Sequence, residues 1–133
     1  MMKRYFLIID QGTSGTKSFI FNKKGEVCFS EKIKHFLDCP KPLYVECDAQ
    51  KIAVVVNLLI ISAINWVKEK NGTIISAGLA VQRSTFLFWD KKSIQPLTPA
   101  LSWQDNRAHY LIDKFKEQKE LIYRKTGIPL SGH

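Results

Sequence analysis

Eight consecutive residues near the start, Asp10-Gln11-Gly12-Thr13-Ser14-Gly15-Thr16-Lys17, combine an acid, two glycines, three hydroxyls and a lysine. A turn of that composition between two strands aims backbone N–H groups and hydroxyl donors at a phosphate chain. Asp10 is suited to holding Mg²⁺ through its water shell, and Lys17 adds a mobile positive charge. The bland alternative is a hairpin turn with an ordinary aspartate at its edge. A P-loop is excluded, because the Gly-Lys-Ser/Thr ending is missing. A second group of polar side chains, Gln82-Arg83-Ser84-Thr85, is followed some twenty residues on by Trp103-Gln104-Asp105-Asn106-Arg107. Amide, guanidinium, carboxylate and an indole face are what a polyol requires: donors and acceptors for vicinal hydroxyls, and an aromatic plane for the C–H side. Taken singly, Arg83 and Arg107 are equally good surface ion-pair partners and Trp103 an ordinary packing residue.

These groups must be positioned by strands and helices that the pattern also predicts. Tyr5 to Ile9 is a continuous apolar run of strand length ending at Asp10, and Thr16 to Phe21 is a second β-prone run. Asn22-Lys23-Lys24-Gly25 is a turn with glycine where a positive φ is expected, and Val27 to Ile33 alternates as a third strand. Asp48 is placed to cap a helix from Ala49 to Lys70, whose polar positions fall within an arc of ~140° at 100° per residue. Val54, Leu58 and Ile61 intrude on that arc, so the helix requires more covering surface than this chain obviously supplies. Thr73 to Val81 is a strand ending at Gln82-Arg83, and Phe86 to Trp89 a further short one. Arg107 to Phe115 reads as a helix, and a last helical stretch closes at Thr126-Gly127. Strands, a helix, then more β and α define an α/β order.

The chain has 133 residues and a net charge of +8, with 45% apolar side chains, which suits one compact domain and disfavours disorder. An enzyme that closes two lobes on two substrates usually needs more than ~250 residues, so a bilobal activity would be incomplete here. The two halves carry +3 and +5 without a long single-sign block, so a nucleic-acid face is disfavoured. Cys28, Cys39 and Cys47 show no zinc spacing and read as reduced thiols, which points to the cytoplasm. The greasy run from Ile52 to Val67 is shorter than the ~20 residues of a bilayer span, and no membrane segment is expected. Leu130-Ser131-Gly132-His133 reads as a loop with no concluding element, as in a truncated domain.

In order and spacing, Asp10 to Lys17, Lys41-Pro42-Leu43-Tyr44-Val45-Glu46-Cys47-Asp48, Gly78-Leu79-Ala80-Val81-Gln82-Arg83 and Pro99 to Ala108 resemble the N-terminal part of the FGGY carbohydrate kinases, the family of glycerol kinase and xylulokinase. The resemblance implies the ribonuclease-H-like, actin-like ATPase fold, a mixed sheet with flanking helices, with residues 1–133 forming part of the N-terminal domain. It implies ATP and Mg²⁺ as cofactors and a sugar or polyol as the small-molecule substrate. Asp10 becomes the magnesium-side carboxylate, with Gly12, Thr13, Ser14 and Lys17 at the phosphates. Gln82, Arg83, Ser84, Trp103 and Asp105 fall in the sugar pocket.

Ser84 stands where glycerol kinases carry a glutamate, and the Met-His-Gly signature of xylulokinases is absent. The general base and the adenine-binding domain of this family lie beyond residue 133, so no catalytic base is assigned within the chain, and the chain alone is expected to be inactive. The apolar helix would be covered by the remainder of such a kinase or by self-association. Two other readings remain: a naturally short binding module, and a two-metal nuclease using Asp10, Glu46, Asp48, Asp90 and Asp105.

Overall fold

The computed structural model describes residues 2–132. Four strands form one mixed sheet: β1 (Lys3–Gly12), β2 (Gly15–Phe21), β3 (Val27–Lys34) and β5 (Gly72–Val81), in the order β3-β2-β1-β5. β1, β2 and β3 are antiparallel neighbours, whereas β5 runs parallel to β1. A two-stranded ladder of β4 (Glu46–Cys47) and β6 (Ala100–Leu101) lies apart from it in the pairing.

Alternation along β1 turns Tyr5, Leu7 and Ile9 into the core and leaves Phe6, Ile8 and Asp10 half-buried on the other face. Against the first face packs α1 (Ala49–Glu69), through Leu59, Ala63 and Val67, which recur every four residues on one stripe. Ile20 of β2 and Leu59 are fully buried at this contact. Trp66 closes the end of the core, its ring 5.5 Å edge-on from Tyr5 and 5.6 Å stacked from Phe29. Asp48 caps the helix as expected, its carboxylate accepting from the Lys51 N–H at 3.0 Å. Gly25 has the positive φ, +79°, that its turn requires.

Three expectations need correction. β1 does not stop at Ile9 but pairs with β2 as far as Gly12, because the hairpin closes on two residues only, Thr13 and Ser14. Phe86 to Trp89 forms no strand; its backbone makes isolated bridges from Phe86 to Leu101 and from Trp89 to Pro96. The stretch from Arg107 is a 3₁₀ helix to Gln118, which runs into α2 (Lys119–Thr126) and ends at Gly127 in the left-handed region. The apolar run after Asp48 lies in a 21-residue helix whose length and composition would suffice to cross a membrane, a test that core helices of ordinary domains also pass. One face of it is seated on the sheet, while Val54, Leu58 and Ile61 are exposed.

Candidate functional site

The hairpin places its chemistry by register. Asp10 is directly opposite Lys17, with Nζ 3.8 Å from Oδ2, and both side chains remain about two-fifths exposed. Two residue pairs further on, Gly12 faces Gly15 across the Thr13-Ser14 turn. Neither glycine has a positive φ, so backbone freedom is not what the turn needs from them. The need at Gly15 is space: a Cβ there would lie 2.8 Å from the Ile33 carbonyl oxygen and 3.3 Å from the Lys34 Cα. The carbonyl of Gly12 accepts two side-chain hydrogen bonds, from Gln11 Nε2 at 3.1 Å and from His35 Nε2 at 2.9 Å.

Parallel pairing of β5 with β1 brings Val81 beside Gln11, so the residues that follow β5 emerge next to the turn. In open α/β sheets the carboxyl ends of parallel strands are the usual ligand edge. Gln82 donates to Gln11 Oε1 at 3.1 Å, Arg83 is exposed, and Ser84 sits in the left-handed region at φ +57°. A non-glycine residue there stores strain of order 1 kcal/mol. Trp103 reaches the same place from the other side, its indole Nε1 donating to Thr13 Oγ1 at 2.9 Å. Ten positions singled out from the sequence thus include a contiguous set: Asp10, Gly12, Thr13, Ser14, Lys17, Gln82, Arg83, Ser84 and Trp103 share one end of the sheet.

Asp105 is bonded elsewhere. It is buried, and its carboxylate is filled by Arg107 Nε at 2.8 and 2.9 Å, Arg107 Nη2 at 2.7 Å and the Val45 N–H at 2.8 Å. Those bonds to Arg107 hold its pKa down at about 2 and in turn push the guanidinium's pKa up. Arg107 also binds Glu46 Oε1 at 2.6 Å and stacks 3.9 Å from the Tyr44 ring centroid. The Lys41–Asp48 and Pro99–Ala108 motifs are therefore tied to each other by this latch. The five acids of the nuclease reading do not converge; among the described residues no three His, Cys, Asp or Glu side chains gather into a cation cluster.

Gln11 and Thr85, members of the two motifs without an assigned role, and His35, which the sequence did not point to, complete the hydrogen bonding of the site. Thr85 stood in view two residues after Arg83, but His35 is 23 residues from Gly12 and carries no pattern; only the β2–β3 pairing brings it there. A broad groove of about 1120 Å³ lies elsewhere, between the end of β3, the start of α1 and the 96–99 loop, and none of the nine residues lines it. The polar groups converge at the hairpin instead.

A four-stranded 3-2-1-5 sheet with an acid and a hydroxyl-rich turn at the carboxyl end of its central strand is the ribonuclease-H-like core of the actin-like ATPases, and residues 5–133 match the N-terminal domain of the FGGY family of carbohydrate kinases. The chain belongs to that family. It is 33% identical over 134 residues to a glycerol kinase from Bacillus cereus, covering 99% of this chain and 27% of that protein. Its fold superposes on the crystal structure of Plasmodium falciparum glycerol kinase with ADP at a TM-score of 0.92 and 29% identity, over 98% of this chain and 27% of that one. A ligand-bound xylulose kinase from Lactobacillus acidophilus matches at 0.86 and 25%, over 96% of this chain and 26% of that one. The chain thus spans about a quarter of the length of the relatives it matches.

Proposed function

We propose that this chain carries the phosphate turn and part of the acceptor pocket of an enzyme that transfers the terminal phosphoryl group of ATP to a hydroxyl of a sugar or polyol. The observation that supports this most is the hydrogen bond from Trp103 to Thr13, which holds the indole of one motif against the turn of the other. Phosphoryl transfer depends on positioning and charge stabilisation, and the groups here supply both. Thr13 and Ser14 offer hydroxyl and backbone donors to phosphate oxygens, and Lys17 offers charge from the adjacent strand. Asp10, half-buried beside them, fits a Mg²⁺ held through water with phosphate oxygens completing the shell. The bound cation would neutralise phosphate charge.

On the acceptor side Gln82 and Arg83 provide polar contacts, and the half-exposed Trp103 ring covers an apolar sugar face. Ser84 leaves room and no charge where glycerol kinases have a glutamate, which favours an acceptor other than glycerol. Asp105 holds the pocket wall through Arg107 rather than touching substrate. The general base, the remainder of this domain and the adenine-binding domain belong, on this reading, to polypeptide outside residues 1–133, in a cytoplasmic enzyme. That polypeptide, or a second copy, covers the exposed stripe of α1.

The test is a panel assay. The polypeptide that carries this chain, supplied with MgATP, is expected to form ADP with at least one of glycerol, xylulose, gluconate and related polyols, and to lose that activity on Asp10→Asn. Failure with every sugar and polyol would overturn the assignment.

A further inference from the structure

Trp103 donates twice, and both chains of hydrogen bonds that leave it end on the hairpin turn. The indole N–H goes to Thr13 Oγ1 at 2.9 Å. The backbone N–H goes to Thr85 Oγ1 at 3.2 Å, Thr85 continues to Gln82 Oε1 at 3.4 Å, Gln82 Nε2 to Gln11 Oε1 at 3.1 Å, and Gln11 Nε2 to the Gly12 carbonyl at 3.1 Å. The polarity of this circuit has one solution. A peptide N–H only donates and a peptide carbonyl only accepts, so the ends are fixed. Thr85 must then accept from Trp103 and give its own proton to Gln82, which sets the orientation of both amides. On the other branch the indole only donates, so Thr13 accepts and its hydroxyl proton is turned away from the ring.

We infer that Thr85 is a positioning residue that couples the acceptor side of the site to the phosphate side. It holds the Trp103 backbone so that the indole fixes the Thr13 hydroxyl as a donor facing the mouth of the turn. A displaced Trp103 would release that hydroxyl to rotate, and the same displacement would break the relay to Gly12. This inference rests on the phosphate reading of the turn proposed above. Thr85 touches neither ligand; it acts through Trp103 and Gln82.

The experiment uses the whole polypeptide that carries this chain, ¹⁵N-labelled, with the Trp103 indole signal assigned by its loss in Trp103→Phe, and magnesium tripolyphosphate as the probe. Thr85→Val keeps the shape and removes the hydroxyl, and Thr85→Ser restores it. In Thr85→Val the Trp103 indole proton is expected to exchange with solvent faster, and tripolyphosphate affinity to fall about fivefold, the equivalent of one neutral hydrogen bond. Thr85→Ser is expected to recover both. Because Trp103 is exposed, water replaces the lost partner and Tm moves little, whereas a merely structural threonine would show its effect there. An indole exchange rate and affinity unchanged in Thr85→Val would overturn the inference, as would failure of Thr85→Ser to restore them. A native polypeptide indifferent to magnesium tripolyphosphate would sink the phosphate reading and this inference with it; equal binding by all three forms would sink the inference alone.

Discussion

Lys17 lies straight across the hairpin from Asp10, near enough for an ion pair at 3.8 Å yet with both side chains open to solvent. Such a pair contributes at most about 1 kcal/mol to stability. The pair therefore matters little for folding, and on the proposed reading its placement two residue pairs below the turn serves ligands. Asp10→Asn is expected to abolish the magnesium dependence of tripolyphosphate binding while shifting unfolding free energy by less than about 1 kcal/mol. Calorimetric titration with and without Mg²⁺, beside a urea melt, separates the two effects; a melt that moves while binding does not would reverse the argument.

Arg107 is the opposite case, a guanidinium whose partners Asp105 and Glu46 are mostly shielded from water. Arg107→Met would leave both carboxylates without their charge partner, at an expected cost of about 3 kcal/mol in chemical denaturation. The pH sign follows from Asp105, whose folded pKa of about 2 is below its ordinary value. A depressed pKa contributes stability that is full above about pH 4 and lost as pH falls towards 2, here on the order of 2 kcal/mol. Acid unfolding of Arg107→Met is therefore expected to begin at higher pH, and an unchanged acid midpoint would disprove the latch.

Two glycines make contrasting demands. Gly25→Ala meets open space but keeps a φ of +79°, so it is expected to cost about 1 kcal/mol and leave phosphate binding alone. Gly15→Ala has an ordinary φ but would press a methyl group against the Ile33 carbonyl 2.8 Å away. Backbone must move, at a cost of about 2 kcal/mol. The turn moves with it, so tripolyphosphate affinity is expected to fall in Gly15→Ala only.

Thiol labelling checks the wall of the latch. Cys28 and Cys39 are exposed and Cys47 is buried, with burial pushing its thiol pKa up and so lowering its thiolate fraction. A disulfide reagent on the native chain is expected to modify two thiols quickly and the third only on unfolding. Rapid labelling of all three would show that β4 is open.

The pattern of apolar residues made β1, β2, β3, α1 and β5 legible, because each buries a face with a clear period. The rest was not legible where local pattern does not decide. Phe86 to Trp89 has strand composition but no neighbour to pair with beyond single bridges, so tertiary context overrode propensity. At the site, Asp10 and the turn were visible from composition, and Gln82 and Trp103 from their motifs. Their mutual contact was not, since Thr13 and Trp103 are 90 residues apart and meet only through folding. Asp105 stood in the sequence as a candidate ligand group, and its bonds to Arg107, two residues later, were not legible because residue types alone do not show which carboxylate a guanidinium will face.

The exposed stripe of α1 supplies the last prediction. Val54, Leu58 and Ile61 recur at helical spacing and each is more than half exposed. Scattered apolar residues are ordinary on a surface, but a continuous stripe along a helix already seated by its other face marks a contact to be covered. If this chain circulates alone, a second copy is the available cover, and sedimentation is expected to show concentration-dependent association that Leu58→Glu with Ile61→Lys removes. Those substitutions lie opposite Leu59, Ala63 and Val67, so the core contact should survive and the melt should hold. Dissociation without loss of stability would support a covering role for a partner surface, and would also keep alive the reading of a short binding module. A native chain that stays monomeric at high concentration would remove the main observation on which that second reading stands, leaving the kinase reading to account for the stripe by polypeptide that packs there in the complete enzyme.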